Sequence, residues 1–408
     1  MLHQLVFALA RFIGVLSRLT RSGAGLTIPG RVTLWFTSGA LTRLSAGRTV
    51  VLVSGTNGKT TTTRLLVAAL SSAGTVVSND SGSNLEAGLV TALLAAPAKT
   101  TAVLEVDEVV LPRAIARCRP RVVVLLNLSR DQLDRTSEVA LHVARWREAL
   151  SHTSCTVVAN ADDPLVVSAV RGARPDSTSV IWVALGQPWR SDVAVCPDCR
   201  QAWTTWTDPW SCAHCHSGRP APAWRLEDSQ LLSSQHEAVL SLALPGRANE
   251  SNAAIAAVTA TLLGVPLDSA VVAMAQVRDV AGRYVTHSVG EHDVRMLLVK
   301  NPAGWLEALE EMPAGGPVVI AFNARSADGT DPSWLWDVPF EKLGARPVAV
   351  TGERAMDVSV RLHYADITHE VVPDMWSAID GLPEGECDLI ANYTAFVDAR
   401  RLLAQGRP

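Results

Sequence analysis

The heptapeptide Gly55-Thr56-Asn57-Gly58-Lys59-Thr60-Thr61 constrains this chain more than any other segment. An apolar run, Val50-Val51-Leu52-Val53, precedes it, and a helical pattern, Leu65-Leu66-Val67-Ala68-Ala69-Leu70, follows. In a strand, glycine turn and helix of this kind, backbone N–H groups and the positive end of the helix converge on an anion. The lysine reaches the outer phosphates, and the hydroxyl that follows it, Thr60, can complete a Mg²⁺ shell. Only Thr56-Asn57 separates the glycines, so the loop is shorter than the Gly-x₄-Gly-Lys form. A turn carrying a solvated lysine is the bland alternative, and the flanking strand and helix speak against it. Lysine is also scarce: Lys59, Lys99, Lys300 and Lys342 are the only four among 36 basic residues. A lysine kept in a glycine turn by a chain that otherwise prefers arginine points to a need for a compact ammonium. The expected ligand is ATP or a close relative.

At 408 residues the chain is long enough for two or three domains. Hydrophobic content of 48% and charged content of 19% suit a globular protein. A net charge of -4 and the lack of a basic run argue against nucleic acid as the main partner. The apolar start, Met1 to Leu16, is interrupted by Arg11 and is too short to span a bilayer, and no convincing cleavage site follows it. With Arg18 and Arg21 it reads as an amphipathic helix, packed on the body of the protein in preference to lying on a membrane surface. Residues 1–47 are therefore expected to form an N-terminal helical segment of a cytoplasmic protein, with peripheral membrane contact as the second reading.

Seven cysteines are present, four of them grouped as Cys196-Pro197-Asp198-Cys199 and Cys212-Ala213-His214-Cys215. Two C-x₂-C knuckles offer four thiolates to one tetrahedral Zn²⁺, and Trp203, Trp206 and Trp210 between them can cover the ion. Disulfides fit poorly with an unexported nucleotide-binding protein. His214 and His216 are alternate ligands, but four cysteines suffice and leave no open position for catalysis. Cys118, Cys155 and Cys387 read as core residues.

Apolar runs at Val50–Val53, Thr75–Ser78, Ala102–Val106, Val122–Asn127, Thr156–Asn160 and Val180–Ala184 alternate with helical patterns. That rhythm predicts an α/β fold, a mainly parallel, doubly wound sheet covered on both faces. Residues 190–224 break it and read as a metal-stapled insertion, after which a helix at Glu250–Gly264, starting near Asn249, resumes the pattern. Past Gly282-Arg283-Tyr284 a second series of strands begins, at Met296–Val299, Val318–Phe322, Val348–Thr351 and Asp388–Ala391. The expected division is a central nucleotide-binding domain over 48–285 and a smaller α/β domain over 286–408.

Ligands of such sheets collect beyond the carboxyl ends of the strands. Glu105, Asp107 and Glu108 stand at one such end, where a carboxylate beside the phosphate loop serves a hydrated Mg²⁺; a solvated acidic strand end is the bland reading. Another strand ends Asn127-Leu128-Ser129-Arg130-Asp131-Gln132-Leu133-Asp134-Arg135. A third ends Asn160-Ala161-Asp162-Asp163-Pro164, where Asp-Pro marks a turn more often than a site.

The ordered set of glycine-lysine loop, acidic strand end, Asn-x₃-Asp-x-Leu-Asp, Asn160-to-Pro164 and Gly246-x₂-Asn249-x₂-Asn252-Ala253 resembles the Mur ligase family, ATP-dependent enzymes that build the peptidoglycan stem peptide. The resemblance covers nearly the whole chain. It implies Thr60 and Glu108 as Mg²⁺ ligands, Asn249 near the adenine, and Gly282-Arg283 as the junction before the C-terminal domain. Gln132 stands where the family usually has histidine. Lys300-Asn301-Pro302-Ala303-Gly304 lacks the acid and histidine of the amino-acid-adding members, which also lack a four-cysteine ribbon. These departures, with Asp328-Gly329-Thr330-Asp331-Pro332-Ser333-Trp334-Leu335-Trp336-Asp337, resemble the amidating branch of the family. Its members are the synthetase subunits of lipid II isoglutaminyl synthases.

That branch implies phosphorylation of the D-glutamate α-carboxylate of the lipid II stem peptide, then displacement of phosphate by ammonia from a glutamine amidotransferase subunit of GatD type. By the same resemblance Asp331 would complete the partner's Cys-His pair, with Asp328 and Asp337 as substitutes. On the residues alone, Asp-Gly-Thr-Asp-Pro is equally a turn. Trp334 and Trp336 read as packing or interface residues. A self-sufficient amino-acid ligase of Mur or folylpolyglutamate type and a non-catalytic nucleotide-sensing scaffold are the alternative functions.

Overall fold

The computed structural model describes residues 6–8, 10, 27–79, 83–130, 139–173, 178–186, 193–203, 205–278, 286–313 and 315–406. They divide into two compact units. The first holds most described residues up to 278, and the second those from 286 onward together with 129–130 and 244–247.

In the first unit, helices α1 (Ile28–Phe36) and α2 (Ala40–Ser45) lead into β1 (Val50–Ser54), α3 (Lys59–Ser71), β2 (Val76–Ser78), α4 (Glu86–Ala95) and β3 (Thr101–Glu105). Then come α5 (Leu111–Cys118), β4 (Val122–Leu125), α6 (Val139–Ser151), β5 (Thr156–Asn160), α7 (Pro164–Val170) and β6 (Ser179–Ala184). The sheet order is β2-β3-β1-β4-β5-β6, all parallel. Val51 sits between Val103 and Val122, and every residue of β1 and β4 is buried. Continuous β-branched runs with no polar alternation are what a strand covered on both faces requires. Phe7 and Ala10 pack on the core of this unit together with Leu41 and Leu44 of α2. No helix among the described residues is long and apolar enough to cross a membrane.

The sheet continues past β6 through β7 (Trp224–Glu227), which pairs parallel to it, and the antiparallel strands β8 (Gln230–Ser233) and β9 (Glu237–Val239). The strand expectations omit this extension. Its residues alternate exposed and covered in short, charge-bearing stretches, so no apolar run announces them. Helix α8 runs Arg247–Leu262, three residues earlier than expected at its start, because Gly246 turns the chain at φ +92° just before it. Helix α9 (Leu267–Met274) packs against α3.

Asn160-Ala161-Asp162-Asp163-Pro164 forms a cap and a turn. Asp163, fully buried, accepts from Leu165 N (2.8 Å) and Val166 N (3.2 Å) at the start of α7, while its other oxygen accepts from Leu128 N at 2.7 Å. One carboxylate therefore caps a helix and holds the chain leaving β4.

The second unit has β10 (Thr286–Val289), β11 (His292–Leu298), α10 (Pro302–Glu311), β12 (Val318–Ala321), two 3₁₀ turns (Ser333–Asp337 and Phe340–Leu343) and β13 (Val348–Thr351). Helix α11 (Ala355–Tyr364), β14 (Glu370–Val371), α12 (Met375–Asp380), β15 (Gly385–Ala391) and α13 (Tyr393–Gln405) complete it. The order β10-β11-β15-β12-β13-β14 is parallel but for the β10–β11 hairpin. Apolar clusters cover both faces, one centred on Trp305, Phe340 and Ile320, the other on Leu389, Phe396 and Ile379. Asn301 caps α10 by accepting from Gly304 N at 2.9 Å, which accounts for the Asn-Pro pair there.

Replacing Asp163 by alanine removes three backbone hydrogen bonds to a buried carboxylate. A loss of about 3 kcal/mol in the unfolding free energy of the first unit is expected, measured by urea titration of tryptophan fluorescence.

Candidate functional site

The glycine loop lies at the carboxyl end of β1, between the ends of β3 and β4. Gly55 has φ +150° and Gly58 φ +81°. A Cβ on Gly55 would lie 2.8 Å from Leu126 Cβ, and one on Gly58 would lie 2.2 Å from Asn252 Oδ1. Both positions therefore demand glycine for conformation and for space. Asn127 holds the loop from the β4 side. Its carbonyl accepts from Thr56 N (3.0 Å), its Oδ1 accepts from Asn57 N (2.8 Å), and its Nδ2 donates to Asn57 O (3.2 Å). From α8, Asn252 Oδ1 accepts from Thr62 Oγ1 at 3.1 Å. Asn249, on the same helix, is buried.

Lys59 opens α3. Its ammonium donates to Gly55 O (2.5 Å), to Thr56 O (3.0 Å) and to both oxygens of Glu108 (3.2 Å). Three donors are thereby committed, and the two side chains retain only 11% and 12% exposure. Thr60 is half-buried in the first turn and Thr61 is buried. Gly55, Thr56, Asn57, Gly58, Lys59, Thr60 and Thr61 thus form one continuous turn with Glu108 facing its lysine.

The strand-end carboxylates divide by surroundings. Glu105 is buried, its backbone exchanges hydrogen bonds with Asn79 (both 2.8 Å), and its Oε1 accepts from Asn84 Nδ2 at 3.3 Å. Asp107 accepts from Val109 N at 2.9 Å; burial first, and the charge of Glu108 second, raise its pKa. Glu108 alone of the three reaches Lys59. Two residues of α6 that sequence reasoning missed stand beside it. Trp146 Nε1 donates to Glu108 O at 3.0 Å, and His142 lies buried within electrostatic reach of both Glu108 and Asp107. Only their i, i+4 spacing hints at a shared face. Arg283 and Asp131 to Arg135 lie outside the described residues.

The four grouped cysteines converge. Cys196 and Cys215 Sγ atoms are 3.7 Å apart, Cys199 and Cys212 3.8 Å, and all four lie within 4.8 Å of one another. A tetrahedron with zinc–sulfur bonds of about 2.3 Å has edges of about 3.8 Å, so the set fits Zn²⁺ and is too open for disulfides. Each knuckle is a tight turn: Cys196 N donates to Gln201 O and Cys212 N to Ser217 O, with Arg200 and His216 at positive φ. His214 and His216 are exposed and stand outside the group. The tryptophans fasten the ribbon to the first unit. Trp203 and Trp206 stack at 4.6 Å and pack on its core, and Trp210 donates to Ala161 O at 3.2 Å. Burial pushes the thiols of Cys118, Cys155 and Cys387 up to about 11, as suits inert core residues.

In the second unit, Asp328 is buried and accepts from Arg325 N (3.1 Å) and Thr394 N (2.8 Å). Asp331 is exposed, with one oxygen accepting from Ser333 N at 2.9 Å. Asp337 is also exposed. Trp334 packs edge-on to Phe322 at 5.5 Å, while Trp336 is exposed and meets Tyr364 at 5.3 Å.

The family model for the Mur ligase middle domain matches residues 53–260, and that for the MurT ligase C-terminal region matches 298–396. The chain is 29% identical to the lipid II isoglutaminyl synthase (glutamine-hydrolyzing) subunit MurT of Streptococcus pneumoniae, over 95% of this chain and 94% of that one. It is 27% identical to the Staphylococcus aureus protein of the same name, over 85% of each. Among solved structures it resembles a pseudomurein peptide ligase type C from Methanothermus fervidus (TM-score 0.69, 20% identity, 88% of this chain and 79% of that one). MurF from Acinetobacter baumannii also has a TM-score of 0.69, at 17% identity, over 90% and 78% of the respective chains.

Purified protein is expected to carry about one zinc ion per chain by elemental analysis. Cys199→Ser should lower that content and leave the tryptophan pair at 203 and 206 more exposed to acrylamide quenching. A metal-free chain with unchanged quenching would remove zinc from the account.

Proposed function

The chain belongs to the Mur ligase family, and from that premise we propose that it is the ATP-dependent synthetase subunit of a lipid II isoglutaminyl synthase. The reaction is amidation of the D-glutamate α-carboxylate in the stem peptide. The observation that carries the reading is the Lys59–Glu108 pair at the mouth of the glycine loop, which supplies a cation for phosphate and a carboxylate for metal at one point. The match of the C-terminal unit to the MurT type, and the names of the relatives similar over most of their length, support the choice of substrate.

A carboxylate is a poor acyl donor until one oxygen leaves as phosphate. In the proposed first half, the α-carboxylate attacks the γ-phosphorus of ATP, ADP departs, and an acyl phosphate forms. In the second half, ammonia adds to the acyl carbon, inorganic phosphate leaves with the C–O bond pair, and a proton is lost to give the amide. Thr60 and Glu108 would hold Mg²⁺, which would supply charge neutralisation at the phosphates. Lys59 turns from Glu108 to the outer phosphate oxygens. The turn from Gly55 to Thr61 cradles the rest through the N–H groups that Asn127 does not engage, with Asn249 and Arg283 assigned to the nucleotide. The Cys196, Cys199, Cys212 and Cys215 cluster is assigned a structural Zn²⁺. The domain division at 48–285 and 286–408 belongs to the same proposal.

Ammonia comes from a glutamine amidotransferase partner of GatD type. Asp331 is proposed to donate the third carboxylate to the partner's Cys-His pair. Ser333 N fixes the direction of its side chain while the carboxylate stays exposed, as a group offered across an interface must be. Exposed Trp336, Tyr364, Val360 and Met356, the last three spaced i, i+4, i+8 on α11, add an apolar stripe of the kind a partner covers. The enzyme is placed in the cytoplasm, working on a substrate presented at the membrane face.

The test supplies ATP, Mg²⁺ and lipid II with either ammonium or glutamine plus the amidotransferase, and reads products by mass spectrometry. Asp331→Asn is expected to leave ammonium-driven amidation within about two-fold and to reduce glutamine-driven amidation by roughly 10³-fold or more. Lys59→Ala should abolish both. Incorporation of a whole amino acid would make the chain a self-sufficient ligase, and absence of ATP turnover would leave a nucleotide-sensing scaffold.

A further inference from the structure

His142 is a buried titratable group that the proposed chemistry leaves unused. It lies in the first turn of α6, only 6% exposed, and its Nδ1 has no hydrogen-bond partner among the described residues. A buried ring nitrogen without such a partner is an uncompensated cost, so the arrangement calls for an explanation. Trp146, four residues on, shares its helix face and anchors the loop at Glu108 O. The charged groups acting on the imidazole are Glu108, Arg145 and Asp107, and Asp107 is acted on in return. Burial lowers the pKa of the ring, and the imidazole has an N–H to donate in either protonation state.

Lys59 is the only cation paired with Glu108 among the described residues, and its remaining donors are spent on Gly55 O and Thr56 O. If phosphates take Lys59, Glu108 loses that partner at the moment it must face a metal. We propose that His142 is a positioning residue of the nucleotide site, its imidazole N–H holding the Asp107–Glu108 carboxylates in the orientation that receives a divalent cation once phosphate has drawn Lys59 away. This rests on reading the loop as a Mg²⁺–nucleotide site.

The experiment uses the full chain and a fluorescent, non-hydrolysable ATP analogue titrated with Mg²⁺, with melting temperatures measured in parallel. His142→Ala is expected to raise the half-saturating Mg²⁺ concentration about ten-fold while leaving analogue affinity at saturating Mg²⁺ within about two-fold. His142→Asn, which keeps an N–H donor at short reach, should restore most of the loss and serves if the alanine variant fails to fold. An unchanged Mg²⁺ requirement in both variants, whatever their melting temperatures, overturns the proposal. A wild-type chain that binds no analogue, or a Lys59→Ala chain that binds it normally, overturns the nucleotide reading itself. Wild-type binding with an indifferent His142 overturns only the present inference.

Discussion

The backbone of Gly55 to Lys59 is the constraint around which the first unit is built. It turns sharply out of β1, with a left-handed glycine before the helix, in a space too tight for a Cβ at either glycine. Neighbouring strand ends hold it there. Ser54 Oγ donates to Val106 O at 2.8 Å on the β3 side, and Asn127 clamps Thr56 and Asn57 on the β4 side. The N–H groups of Thr56 and Asn57 are spent in that clamp, and a turn fixed this way would offer its other N–H groups to an anion with little reorganisation. The Lys59–Glu108 pair belongs to the same construction. Two largely desolvated charges at 3.2 Å are tolerated because the loop carbonyls satisfy the remaining ammonium protons. Deleting either partner would strand a largely buried charge at a cost of about 3–5 kcal/mol.

The ribbon follows a different logic. A cysteine-bound ion alone would order only its own two knuckles, yet this insertion is tied into the body at several independent points. Asp198, inside the first knuckle, accepts from Arg147 (2.9 Å) and Ser168 (2.7 Å) on one oxygen and from Arg171 (2.6 Å) and Ser217 (2.6 Å) on the other. Arg219 pairs with Asp162 at 2.9 Å, and three tryptophans lie against the body or donate to it. The staple therefore braces α6 and α7, and α6 is the helix that carries His142 and Trp146 to the loop at Glu108.

The parts of this architecture that were legible in the sequence are those governed by local rules. Apolar runs of four to six residues gave away the parallel strands, because a strand buried on both faces has no polar alternation to blur it. The glycine-lysine turn and the two C-x₂-C pairs announced themselves because their chemistry fixes spacing. What stayed hidden depends on contacts between distant segments. Strands β7 to β9 lack an apolar run; the motifs name Asn127 and Asn252 without saying what they hold, and His142 acquires meaning only when α6 arrives at the strand end. The acidic strand end shows the boundary well, since the sequence supplies Glu105, Asp107 and Glu108 without ranking them and only packing separates them.

Donor supply then explains why chemically identical carboxylates take such different parts. Asp163 and Asp328 are buried, each accepting three hydrogen bonds from described donors, and a carboxylate so saturated is a structural joint. Glu108 pairs with Lys59 alone among the described residues, and Asp331, exposed, spends one oxygen on Ser333 N. Acceptor capacity left unspent in the fold is the capacity a metal ion or a partner's imidazole can use. Asp328 and Asp331 sit three residues apart in one turn, and by this criterion only the second is free to act outside its own chain.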